Sequence, residues 1–86
     1  MHAVHLSQRA EKFLDKLDAH LRERIVDRLK RLAVDPVPTD AKFLGRDEGE
    51  KVFRYRIGEY RALYKVKESL GIVLVTKVEK RPRAYQ

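Results

Sequence analysis

Hydrophobic positions recur at helical spacing in the first third of the chain and alternate with polar ones in the last third. The short apolar run "AVHL" (residues 3–6) reads as a strand. It ends at Ser7, whose hydroxyl suits an N-cap because it accepts from an otherwise orphaned helix N–H. Ala10, Phe13, Leu14 and Leu17 then follow i, i+3, i+4, i+7 spacing and predict a short helix with one apolar stripe. Asp18 breaks the pattern and caps a second helix. That helix carries Leu21, Ile25, Leu29 and Leu32 on one face, with Arg22, Glu23, Asp27, Arg28, Lys30 and Arg31 elsewhere. So short a junction favours two antiparallel helices. "VDPVPTD" (34–40) stops the second one, since proline disfavours helical geometry in the residue before it.

Residues 40–50 are polar, contain Gly45 and Gly49, and read as a loop in which "KFL" (42–44) is a short docking segment. Three strand-like runs follow: "KVFRYRI" (51–57), "YRALYKVK" (60–67) and "IVLVTKVEK" (72–80). Gly58-Glu59 suits a two-residue type II′ hairpin turn. "ESLG" (68–71) makes a looser turn, and the tail "RPRAYQ" leaves the sheet at Pro82. The predicted architecture is α+β, in the order β-α-α-β-β-β. A mostly antiparallel sheet carries the helical hairpin on one face and is partly open on the other. There is no internal repeat or linker, so residues 1–86 are expected to form a single domain.

Alternation across the Gly58-Glu59 turn decides which side chains share a face. Ile57 should pair with Tyr60, Arg56 with Arg61, Arg54 with Leu63, and Val52 with Lys65, and cross-strand partners point the same way. One face collects Phe53, Tyr55, Ile57, Tyr60, Ala62 and Tyr64, an aromatic-rich layer for the helices to pack on. The other collects Arg54, Arg56, Arg61 and Lys65. Like charges directly opposite, as Arg56 and Arg61 would be, are destabilising, which argues that the patch serves a ligand. Glu59 and Glu79 are the carboxylates positioned to compensate. The planar fork of arginine suits phosphate better than the point charge of lysine.

The charge distribution sharpens this. Residues 1–50 hold ten Lys/Arg and ten Asp/Glu; residues 51–86 hold ten Lys/Arg against Glu59, Glu68 and Glu79. The whole excess of +7 therefore lies in the last 36 residues. Such a one-sided basic field attracts nucleic acid or an acidic protein. Cysteine is absent, which excludes disulfides and thiolate zinc sites. No apolar run approaches the roughly 20 residues needed to cross a bilayer, and "MHAVHLSQRAEKFL" lacks the regions of a secretory signal. A cytoplasmic location without membrane contact is expected. His2, His5 and His20 lack ligand spacing, and neither a phosphate-cradling glycine loop nor a Ser-His-Asp constellation is present, so no metal or cofactor is expected. Glu48 and Glu50 read as solvated loop residues.

"VFRYRIGEYRALYKV", preceded by "KFLG" and followed by "IVLVTKVEKRPRAY", resembles the RelE/ParE superfamily of type II toxins. The opening "LSQRAEKFLDKLD" is similar to the first helix of that family, so the resemblance covers nearly the whole chain. RelE-like members are implied to be ribosome-dependent endoribonucleases that cut mRNA in the A site. The 2′-hydroxyl attacks the adjacent phosphodiester and leaves a 2′,3′-cyclic phosphate. Carried over by position, Arg54 and Arg56 stand where RelE has a pair of basic residues, often lysines. Arg61 matches the phosphate-contacting arginine, Arg81 a basic residue at the end of the last strand, and Tyr85 the C-terminal tyrosine. Lys65, Lys77, Lys80 and Arg83 are expected to contact RNA. Arginine, with a pKa above about 12, is a poor general base, so the proton acceptor is left to Tyr85, Lys65 or a ribosomal group. The resemblance also implies a RelB-like antitoxin with an acidic binding segment. Two other outcomes are compatible with it: a ParE-like inhibitor of DNA gyrase, and an inactivated relative that binds RNA or antitoxin without cutting.

Overall fold

A computed structural model describes residues 1–82 of the chain. Strand β1 (Ala3–Leu6) leads into helix α1 (Gln8–Asp15) and helix α2 (Ala19–Lys30), which ends in a 3-10 turn (Arg31–Ala33). Then come β2 (Ala41–Asp47), β3 (Glu50–Ile57), β4 (Tyr60–Lys67), a second 3-10 turn (Glu68–Leu70) and β5 (Ile72–Lys80). The sheet order is β1-β5-β4-β3-β2, with β1 parallel to β5 and every other pair antiparallel.

Both helix starts lie where the capping residues put them. Ser7 Oγ accepts from the Ala10 N–H at 3.1 Å, and Asp18 Oδ1 accepts from the Leu21 N–H at 3.1 Å. The Ser7 hydroxyl also donates to the Thr76 carbonyl at 2.9 Å, tying the start of α1 to β5. The helices bury Ala10, Leu14, Ile25 and Leu29 against one face of the sheet, where Phe53, Tyr55, Ile57, Ala62, Tyr64, Val66, Val73, Val75 and Val78 meet them. Burying an aliphatic side chain of this size is worth about 1.5–3 kcal/mol each, so the hairpin is held chiefly by its apolar stripe. The hydroxyls of the buried tyrosines reach partners at the rim. Tyr64 donates to the Pro36 carbonyl at 2.7 Å, and Tyr55 accepts from Arg28 Nη2 at 3.1 Å. Burial raises the Tyr64 pKa, with the charges of Tyr55, Asp35 and Asp40 adding to the effect.

The expected β-α-α-β-β-β order gains one strand. Residues 40–50 are mostly not a loop: Ala41–Asp47 form β2 and pair antiparallel with β3. Two local features hid it. A bulge between Phe43 and Gly45 breaks the alternation. The connecting turn has positive φ at both Glu48 (54°) and Gly49 (80°), a type I′ signature usually announced by Asn-Gly or Asp-Gly. Being at the edge and beyond the helices, β2 also leaves Phe43 and Leu44 about half exposed, so it shows no buried face.

The β3–β4 register is the expected one, with Arg56 opposite Arg61, Arg54 opposite Leu63, and Val52 opposite Lys65. Gly58 at φ 60° is the only positive-φ residue in that turn, as type II′ requires. In β5, Leu63 pairs with Lys77 but Tyr64 with Val75, so Thr76 is an extra residue in the ladder. This bulge shifts the phase of the strand. Val73, Val75 and Val78 face the helices, and Lys77 and Glu79 turn to the open face.

Candidate anion-binding cleft

The open face of the sheet is not uniformly basic. At its β3–β4 turn end, Arg54, Arg56, Arg61 and Arg81 line one cleft of about 530 Å³, closed on the β2 side by Thr39, Asp40 and Lys42. Each residue arrives by a different local rule. Alternation places Arg54 and Arg56 together on β3, the hairpin register brings Arg61 opposite Arg56, and β2 pairing sets Lys42 opposite Arg54. Arg81 lies just beyond β5 and is fixed by the turn. Its N–H donates to the Glu59 carbonyl at 2.7 Å and its Nη1 to the Gly58 carbonyl at 3.3 Å.

The clash expected between Arg56 and Arg61 is relieved from the neighbouring strand. Glu79 is the register partner of Arg61, and its Oε2 accepts from Arg61 Nε at 2.5 Å. Its Oε1 pairs with Lys77 Nζ at 2.9 Å. Hydrogen bonds from Lys77 and then Arg61 hold the Glu79 carboxyl below the usual carboxylate range. Among the described residues, Arg54 and Arg56 have no carboxylate within salt-bridge distance.

The lysines assigned to RNA take other places. Lys65 is on the same face, but four residues along β4 from Arg61, about 13 Å at a strand's rise per residue. There it pairs with Asp47 at 2.8 Å and with Glu50 at 3.7 Å, while Lys67 pairs with Glu50 at 3.4 Å. The hydrogen bond to Asp47 raises the Lys65 pKa, which makes it a still poorer proton acceptor. Glu50, expected to be solvated, is instead a shared counterion, because the β2–β3 hairpin swings it beside two lysines. Lys77 serves Glu79, and Lys80 is exposed at the end of β5, where alternation turns it away from the cleft face. Tyr85 and Arg83 lie outside the described residues. The cleft residues that sequence reasoning missed are Thr39, Asp40 and Lys42, since all three depend on recognising β2 and its approach.

Four guanidinium groups around one concavity make a site for an anion with several oxygens. Asp40 is the carboxylate among the lining residues, and its Oδ2 lies 3.5 Å from Arg28 Nη2.

Comparison with known proteins bears on what such a cleft belongs to. Residues 4–85 match the family model described as the ParE toxin of type II toxin–antitoxin systems, parDE. The chain belongs to this family. Similar solved structures carry RelE names. The archaeal RelE–RelB complex from Pyrococcus horikoshii contains a chain 26% identical to the toxin, with TM-score 0.85, covering 96% of the toxin and 98% of that chain. For the RelBE2 toxin–antitoxin complex of Mycobacterium tuberculosis the values are 27%, 0.78, 93% and 98%. For the isolated RelE toxin of E. coli they are 25%, 0.77, 98% and 88%. A search of curated protein sequences finds no match. The toxin is therefore a type II toxin of the RelE/ParE superfamily. Among its described residues no helix is long and apolar enough to cross a membrane.

Proposed function

We propose that the toxin is a RelE-type endoribonuclease that cleaves mRNA in the ribosomal A site and so arrests translation in the cytoplasm. The observation that carries this reading is the convergence of Arg54, Arg56, Arg61 and Arg81 on one cleft. The reaction forms a bond from the 2′-oxygen to phosphorus, breaks the bond from phosphorus to the 5′-oxygen, and leaves a 2′,3′-cyclic phosphate. The arginines stabilise the charge that builds on the phosphate oxygens, where preorganised donors contribute most. A proton must leave the 2′-hydroxyl and another must reach the 5′-oxygen. Asp40, a carboxylate at the cleft wall, is the acceptor this reading assigns within the described residues, and Tyr85 stays a candidate for either transfer. Asp40→Asn is then expected to lower cleavage by roughly 10²–10⁴ without weakening RNA binding, measured by single-turnover cleavage beside equilibrium binding.

The partner is an antitoxin with an acidic segment that neutralises the arginines, in keeping with the complexes in which two of the similar structures are found. The match to the ParE model favours one second reading, a gyrase inhibitor that acts by binding. Primer extension on programmed ribosomes with purified toxin separates the two. Cleavage within the A-site codon, lost in the Arg61→Ala/Arg81→Ala double variant, is the expected result. Intact message together with blocked DNA supercoiling would replace the ribonuclease reading with the second one.

A further inference from the structure

A carboxylate beside an anion site works against it, so Glu79 demands a reason. It is half-buried on the cleft face, and it is there because the Thr76 bulge turns the end of β5 over. Were Thr76 paired in strict alternation instead of bulged, Glu79 would point toward the helices. Bulges of this kind re-aim side chains next to functional sites.

The contacts show what the carboxylate does. It takes the Nε edge of Arg61, and a guanidinium has five N–H donors, so the four on the two terminal nitrogens stay available. A side chain with four rotatable torsions is thereby held at the base of its fork, and its ordering is completed before any ligand arrives. Lys77 on the second carboxylate oxygen restores the balance: Arg61, Glu79 and Lys77 together keep one positive charge. The cleft thus gains an ordered arginine without losing its net field. Arg54 and Arg56, with no such partner among the described residues, supply charge without this orientation.

We infer that Glu79 is a positioning residue that presents the terminal nitrogens of Arg61 to a phosphodiester, with Lys77 as its compensating cation. The inference rests on the reading of the cleft as a phosphate site. It makes a prediction opposite in sign to simple electrostatics. Removing a negative charge beside an anion site should tighten binding, whereas loss of positioning weakens it.

The test uses the full chain and a 2′-O-methyl tetranucleotide, which cannot undergo 2′-hydroxyl attack. Glu79→Ala is expected to weaken binding of this probe about tenfold, and Glu79→Gln, which keeps an acceptor for Nε, to restore most of it. In the Arg61→Ala background, Glu79→Ala should not weaken binding further. A ligand-free readout accompanies these: the Arg61 Nε–Hε signal in NMR should be slow to exchange in the unaltered protein and in Glu79→Gln, and averaged in Glu79→Ala. Thermal midpoints identify any variant that fails to fold, in which case Glu79→Gln alone is compared with Lys77→Ala. Equal or tighter binding by Glu79→Ala, equal weakening in both backgrounds, or an unchanged Arg61 signal overturns the inference. Absence of probe binding by the unaltered protein, with the Arg61 signal still dependent on Glu79, instead counts against the phosphate reading of the cleft.

Discussion

The open face of the sheet has two basic ends that the sequence does not tell apart. At one, Lys65 and Lys67 are held by Asp47 and Glu50 across the β2–β3 hairpin. At the other, four arginines line a cleft in which Glu79 engages the Nε of Arg61 alone. A lysine already paired must exchange one anion for another, and the net gain is small. An arginine without an internal partner gains the whole charge-assisted contact, about 1.5–3 kcal/mol. The difference between the ends therefore lies in which cations are already satisfied, and that is what distinguishes a site from a soluble surface.

The strongest way to break the contrast is Val78→Asp, which places a carboxylate at the helix-facing position that the Thr76 bulge gives to Val78. A loss of more than about 3 kcal/mol is expected from an uncompensated buried charge, read as a collapse of the urea midpoint. Full stability in this variant would show that the bulge does not turn Val78 to the helices. Next in size, Arg61→Ala should weaken binding of single-stranded RNA by about tenfold or more, and lower the slope of log K against log salt by about 0.7. Lys65→Ala should change affinity less than twofold; equal losses at both positions would erase the distinction between the ends.

The contrast can also be narrowed from the paired side. Asp47→Asn combined with Glu50→Gln frees Lys65 and Lys67, so RNA binding should tighten severalfold and the salt slope steepen by about 1.4 as two cations become available. The smallest effect concerns pH. The carboxyl of Glu79 is held below its ordinary value of 4.5, so the folded form binds its proton less readily than the unfolded form. Its contribution is fully present above about pH 4.5 and is lost as pH falls through the lowered value. The acid limb of a stability profile should therefore be shallower in Glu79→Gln, and an identical limb would remove Glu79 from the balance.

Much of this was legible along the chain because it depends on periodicity. Ser7 and Asp18 mark helix starts by hydroxyl and carboxylate chemistry that acts over three residues. The pairing of Arg56 with Arg61 follows from a two-residue turn and strict alternation. β2 was not legible, since an edge strand with a bulge has neither alternation nor a buried face. Its absence from the reading hid Lys42 and Asp40, and left Glu50 without its lysines.

By itself, then, the sequence determined the helical hairpin, the β3–β4 register, and the segregation of arginines from tyrosines, all consequences of local geometry. Only the tertiary structure decided which cations are free. Asp47 meets Lys65 through a hairpin, and Glu79 meets Arg61 across 18 residues after a one-residue phase shift at Thr76. Pairing between strands is a long-range event set by register, and a single bulge reverses the face of every residue that follows it.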